Sequence, residues 1–203
     1  MPYTTAAAVK SYLGITSSSD DALLTTLIAS AQAAIDTYTH RTFEAATDTT
    51  KYFDAEDDTS ESYTMLDWTP YGLDLAQITS IVNGDGVTIP ASAYVLEPRH
   101  YPPYFGVKLK VSSGLYFEYD NNNDHENAIA VTGRWAYSIT APADVVHACI
   151  RWTAYLYRQK DSGTYETTVI PGAGVMEVPM GIPRDVQMLL GRHPGDKFVR
   201  GPR

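Results

Sequence analysis

The pattern of apolar residues changes twice along this chain, and that change most limits what it can fold into. Residues on both flanks recur at three- and four-residue spacing, whereas those from about Thr50 to Thr140 fall into short β-prone runs. A helix repeats every 3.6 residues and a strand every two, so the middle cannot continue the helices on either side. The reading is an α+β protein: a discontinuous helical bundle built from both ends, with an antiparallel β-domain inserted between them. The expected organisation is N-terminal helices over residues 1–48, the β-rich insertion over 49–140, C-terminal helices and a hairpin loop over 141–191, and an extended tail over 192–203.

The helical signals are local. Thr4 or Thr5 can cap a short helix that Gly14 ends. Ser17 to Ser19 offer caps for a second helix, with Asp20 and Asp21 in its first turn. Leu24, Leu27, Ile28, Ala31, Ala34, Ile35 and Tyr38 form its apolar stripe. After the insertion, Pro142 and Asp144 suit a helix start, and Val145, Val146, Cys149, Ile150, Trp152, Thr153, Leu156 and Tyr157 give a broad apolar face. Pro183 starts a last short helix, which Gly191 and Pro194 stop. In the middle, Lys51 to Phe53, Tyr63 to Leu66, Ile78 to Val82, Val107 to Val111 and Ile129 to Val131 read as strands. Asn83-Gly84-Asp85-Gly86 between two apolar runs is a hairpin signal. Nine of the 15 tyrosines lie in this region, where strand packing accounts for them.

Composition narrows the function classes. The formal net charge is −9. From Gly181 onward, five basic residues (Arg184, Arg192, Lys197, Arg200, Arg203) face two acidic ones (Asp185, Asp196). The remainder holds 10 of the 15 basic and 22 of the 24 acidic residues. An acidic body does not grip DNA phosphates, and a basic tail suits docking on an acidic surface. No apolar run is long enough for a transmembrane helix, the N-terminus lacks a signal-peptide pattern, and the lone Cys149 reads as a buried thiol.

No catalytic constellation appears. His40, His100, His125, His147 and His193 are scattered, and His147 lies two residues from Cys149, a spacing that does not face on a helix. Asp120 to Glu126 begins like a calcium loop, but His125 and Val131 stand where glycine and the bidentate glutamate are required. Asp54, Glu56, Asp57, Asp58 and Glu61 read as a solvated acidic loop, with weak cation binding the lesser option. No metal, cofactor or catalytic residue is assigned, and the expectation is a protein that is not an enzyme.

Two ordered motif sets carry a family resemblance. The first is Val9-Lys10-Ser11-Tyr12-Leu13-Gly14-Ile15, Asp20-Asp21-Ala22-Leu23-Leu24 and Tyr38-Thr39-His40-Arg41-Thr42-Phe43. The second is Val131-Thr132-Gly133-Arg134-Trp135-Ala136-Tyr137-Ser138, the Pro142 to Lys160 helix, and Ile182 to Leu190. In this order they resemble the head–tail connector (adaptor, head-completion) proteins of tailed bacteriophages, with Ala136 replacing a more usual glycine. The resemblance implies a virion neck protein, made in the host cytoplasm. It would form a ring of twelve copies under the portal, extend the channel through which double-stranded DNA passes, and join head to tail. Its partners would be itself, the portal, and a stopper or tail-completion protein, with no membrane. The tail residues Arg192, Lys197, Phe198, Val199, Arg200 and Arg203 would reach the portal. Val169, Ile170, Val175, Met176 and Val178, in a hairpin too apolar for a free loop, would contact a neighbouring subunit or the next ring. The alternatives are another neck protein, such as a stopper or tail-completion subunit, or a small carbohydrate-binding module or hydrolase using the Tyr-rich region.

Overall fold

A computed structural model of the protein describes residues 2–60, 63–160, 167–170, 174–177 and 181–191. It is α+β, and the chain divides into two compact units. One is helical and draws on both ends of the chain; the other spans His40 to Ala141.

The helical unit contains α1 (Ala6–Leu13), α2 (Asp21–Thr39), α3 (Ala143–Gln159) and α4 (Arg184–Leu190). Thr5 caps α1, its hydroxyl accepting a hydrogen bond from the Ala8 amide at 3.2 Å. Gly14 closes α1 at φ 72°, a left-handed conformation that disfavours any residue with a Cβ. α3 lies at the centre, with α1, α2 and α4 each packed on it. The core takes Val9 from α1, Leu24, Ile28, Ala31 and Ile35 from α2, Val145, Ala148, Cys149 and Trp152 from α3, and Val186 and Leu190 from α4.

Two details differ from the sequence reading of α2. Its buried stripe runs through Leu24, Ile28, Ala31, Ile35 and Thr39, and Tyr38 is 44% exposed. A straight stripe drifts around a 3.6-residue helix, and over this length the drift carries Tyr38 off the core face. Asp20 precedes the helix, and its carboxylate accepts from the Tyr157 hydroxyl and, at 3.0 Å, from Lys160 Nζ. It therefore ties the start of α2 to the end of α3. Those bonds hold its carboxyl below the usual range, the Tyr157 hydroxyl first and the lysine next.

The second unit packs two antiparallel sheets around one core. β1 (Thr49–Phe53), β7 (Ile129–Arg134) and β4 (Gln77–Val82) form a three-stranded sheet with β7 central. β2 (Thr59–Ser60), β3 (Met65–Asp67), β6 (Gly106–Leu109) and β5 (Tyr94–Glu97) form the other, in that order. Three aromatic rings meet at the centre: the Trp68 ring centre lies 5.2 Å from that of Trp135, edge-on, and 5.8 Å from that of Phe53. The two indoles donate to backbone carbonyls, Trp68 to Tyr104 at 2.9 Å and Trp135 to Thr49 at 3.1 Å, so no polar group is stranded there. Gly133 sits in β7 where a Cβ would run into the Gln77 carbonyl oxygen. The Asn83–Gly86 hairpin forms as read: the Asn83 amide donates to Val87 O at 2.9 Å and the Ile89 amide to Ile81 O at 2.9 Å.

The strands β8 (Thr167–Ile170) and β9 (Gly174–Glu177) pair antiparallel with Val169 opposite Val175, forming a separate two-stranded ribbon.

Candidate interaction surfaces

The two motif sets meet at the root of the β-unit. Where the chain enters, Thr42 O accepts from the Tyr137 amide at 2.8 Å, and Phe43 O accepts from the Ser138 hydroxyl at 3.0 Å. Glu44 bridges Ser138 in parallel, and its carboxylate accepts from the Ala141 amide at 3.2 Å. Phe43 is fully buried against Tyr137, ring centres 5.5 Å apart. The Arg41 guanidinium lies 5.2 Å from the centre of the Tyr137 ring and 3.5 Å from an Asp74 oxygen. Burial raises the Asp74 carboxyl, and Arg41 opposes the shift. The motif residues Arg41 to Phe43 and Tyr137 to Ser138 therefore fasten the place where the chain enters and leaves the β-unit.

The charged surface is organised the same way. Lys10 pairs with Asp21 at 2.8 Å, Arg134 with Asp48 at 2.7 Å, Arg99 with Glu97 at 3.1 Å, and Arg151 with Asp185. Lys51 lies over the Trp135 ring, and Lys110 donates to Ser92 O at 2.8 Å. Most cations of the described body are thus engaged within the chain, while the carboxylates remain in excess.

The acidic loops serve the backbone. Asp120 accepts from the Asn122 and Asp124 amides, both at 2.8 Å, bonds that keep its carboxyl acidic. The expectation of a wholly solvated loop fails at Asp58, which is 8% exposed. It accepts from the Asp54 amide at 2.8 Å and the Tyr71 hydroxyl at 2.8 Å, and burial raises its carboxyl. Among the described residues, no three His, Cys, Asp or Glu side chains gather to hold a metal ion. Cys149 is buried, which pushes its thiol up to about 11, too high for a nucleophile. His147 packs edge-on to Tyr12, ring centres 6.4 Å apart.

The tail residues Arg192, Lys197, Phe198, Val199, Arg200 and Arg203 lie outside the described residues, as does Val178. Val169, Ile170, Val175 and Met176 fall in the β8–β9 ribbon.

A surface not evident from the sequence lies in the helical unit. The N-terminal segment folds back along α2, the Tyr3 amide donating to Gln32 Oε1 at 3.1 Å and the Tyr3 hydroxyl to Asp36 at 2.5 Å. Between Thr4, Thr5 and Ala6 on one side and Ile28, Ala29 and Ala33 on the other lies a groove of about 620 Å³. Its lining holds one ionisable residue, Asp36, whose carboxyl burial raises against the Tyr3 hydrogen bond. Thr4 is 5% exposed, and its buried hydroxyl has no hydrogen-bond partner. A second hollow, of about 460 Å³, lies in the β-unit between Val87–Pro90 and Ser112–Leu115, with Asp85 its one ionisable residue. Neither hollow brings together the titratable groups that acid–base or nucleophilic chemistry requires.

Residues 3–67 match the family model of the Phage gp6-like head-tail connector protein. The match bears out the resemblance over the first motif set and ends at β3. Solved structures extend the likeness of fold to the whole chain. A chain of the "Neck of empty GTA particle computed with C6 symmetry" is 16% identical, with a TM-score of 0.55, over 100% of this chain and 93% of that one. A chain of the "Virion of native gene transfer agent (GTA) particle" is 18% identical, with a TM-score of 0.53, over 100% and 92%. No match emerges among curated protein sequences. No described helix is long and apolar enough to cross a membrane.

Proposed function

We propose that this protein is a structural subunit of a virion neck, a head–tail connector that assembles in twelve copies as a ring under the portal. It extends the DNA channel and meets a stopper or tail-completion protein on its other side. The observation that carries this reading is the connector-family match to the N-terminal helices, on a chain whose full length shares the fold of neck and virion subunits. Twelve copies are compatible with the sixfold symmetry of that neck.

The charge arrangement supports passage of DNA rather than its capture. Affinity for a duplex comes from cations that displace its counterions. Here the body carries excess carboxylate, and its cations are largely paired within the chain. Duplex can therefore slide past without being held.

Two contacts complete the reading. The hairpin residues Val169, Ile170, Val175, Met176 and Val178 touch a neighbouring subunit or the next ring. The tail residues Arg192, Lys197, Phe198, Val199, Arg200 and Arg203 bind the portal. Exposed ion pairs contribute only about 0.2–1 kcal/mol each, so Phe198 outweighs any single tail charge. Electron microscopy of the protein mixed with its portal should show a ring coaxial with the portal. Mature particles whose necks lack the protein would end the proposal. Deleting residues 195–203 should weaken portal affinity at near-physiological salt and leave the helical circular dichroism unchanged; unaltered affinity would remove the tail from the interface.

A further inference from the structure

We propose that Asn83-Gly84 is a modification site: the Asn83 side chain deamidates through a cyclic imide when the β-unit opens, and the closed fold protects it.

The sequence supplies the reactivity. Asn83 is the one asparagine followed by glycine; the others precede Asn122, Asn123, Asp124 and Ala128. Glycine has no Cβ to obstruct the approach of its backbone nitrogen to the preceding side chain. In the reaction the Gly84 nitrogen gives its proton to hydroxide and attacks Asn83 Cγ. The new N–C bond closes the imide, the Cγ–Nδ2 bond breaks, and the side-chain nitrogen takes up a proton and leaves as ammonia. Water then opens either imide C–N bond, giving aspartate or isoaspartate.

The fold holds this chemistry back. Asn83 is 6% exposed, and Gly84 is buried beside it. Asn83 Nδ2 donates to Tyr116 O at 3.0 Å, and Oδ1 accepts from the Glu118 amide at 3.1 Å. Gly84 lies so close to the same segment that an added Cβ would run into the Glu118 carbonyl oxygen. Cγ cannot become tetrahedral without moving Oδ1 off the Glu118 amide. Ammonia cannot leave while Nδ2 is held by Tyr116 O. Reaction therefore waits for a local opening that frees both bonds.

The same two bonds make the modification consequential. They pin residues 116–118, which have no regular secondary structure, to the Asn83–Gly86 turn. Phe117, between the two bonded residues, is 2% exposed and belongs to the β-unit core. Aspartate keeps an acceptor for the Glu118 amide but has no donor for Tyr116 O, which then faces a carboxylate oxygen. Isoaspartate also lengthens the backbone within the turn. Conversion is irreversible, so it marks chains whose β-unit has opened and weakens their closure.

The test incubates the full-length protein at mildly alkaline pH, with and without denaturing urea. Peptide mapping by mass spectrometry reads the amide-to-acid exchange at each asparagine. In urea, Asn83 should convert first. Without urea its rate should fall by at least about tenfold, each tenfold corresponding to about 1.4 kcal/mol of opening free energy. Hydrogen exchange of the Glu118 amide reports the same opening, so its slowing should match that of Asn83 conversion to within about tenfold. Another asparagine converting first in urea would overturn the site. Equal rates with and without urea, or conversion of Asn83 while the Glu118 amide stays protected, would overturn the protection. The converted fraction, separated by its added negative charge, should lose β-unit tryptophan fluorescence at a lower urea concentration than the unconverted fraction. Equal midpoints would overturn the claimed weakening.

Discussion

The two units solve the problem of stability differently. The β-unit closes on large rings: Trp68, Trp135 and Phe53 meet at its centre, and Leu66, Leu75, Ile81, Val107 and Ile129 surround them, all essentially without exposure. The helical unit buries smaller groups, among them Ala31, Ala148, Cys149 and Ala154, and joins its helix ends by polar ties. Each unit has an open hollow and a buried polar atom without a partner, Thr4 Oγ1 in the helical unit and His125 Nδ1 in the β-unit. The contrast lies in how each core is filled, by large rings in the β-unit and by small side chains with polar ties in the helical unit.

The strongest challenge to this contrast is Trp68→Ala. Removing a buried indole should cost about 3–5 kcal/mol. Near-UV circular dichroism from the β-unit should collapse at a temperature where the helical signal at 222 nm persists. Simultaneous loss of both signals would show that the units are one cooperative body. Next is Gly133→Ala. A Cβ there collides with the Gln77 backbone across β7 and β4, so the strands must part, at a cost of about 1–3 kcal/mol. Urea unfolding followed by tryptophan fluorescence reads this loss, and an unchanged midpoint would mean the sheet is looser than its geometry implies.

Asp20→Asn tests the polar ties. The folded carboxyl is lowered below its usual value of about 3.9 by Tyr157 and Lys160. Its contribution is therefore complete above that value and is lost as pH falls through the lowered one. The variant should melt below wild type at pH 7, and the gap should close in acid. A gap that stays constant with pH would assign the effect to shape instead of charge. The raised carboxyls of Asp58 and Asp74 in the β-unit carry the opposite sign: each favours folding at low pH and loses that contribution as pH rises through its folded value. The smallest effect is expected from shortening the exposed Asn121–Asn123 turn, which should leave ring assembly intact, as seen by electron microscopy; failed assembly would place the β-unit in the interface.

What the sequence disclosed was mostly local. Thr5, Gly14 and the Asn83–Gly86 turn act through neighbours a few residues away, so their roles can be read directly. The helical ends and strand-rich middle follow from periodicity. β2 was missed because two residues show no alternation, and β5 because Tyr94–Glu97 follows a 3-10 turn and carries no clear pattern. Val111, read as strand, instead begins a 3-10 turn and is 95% exposed. The groove was invisible because it depends on Tyr3 meeting Gln32 and Asp36, a return of the chain that no short window records. The aromatic cluster was hidden likewise, since Trp68 and Trp135 are brought together only by sheet packing.

The side-by-side strands at the root of the β-unit have a consequence for how such proteins can change. Residues 42–44 and 137–141 are stitched together, so the β-unit begins and ends at nearly the same place. A segment with adjacent ends behaves as a cassette. Recombination can lengthen it, shrink it or exchange it while the flanking chain keeps its course. Change inside the β-unit therefore need not disturb the path of the helices on either side.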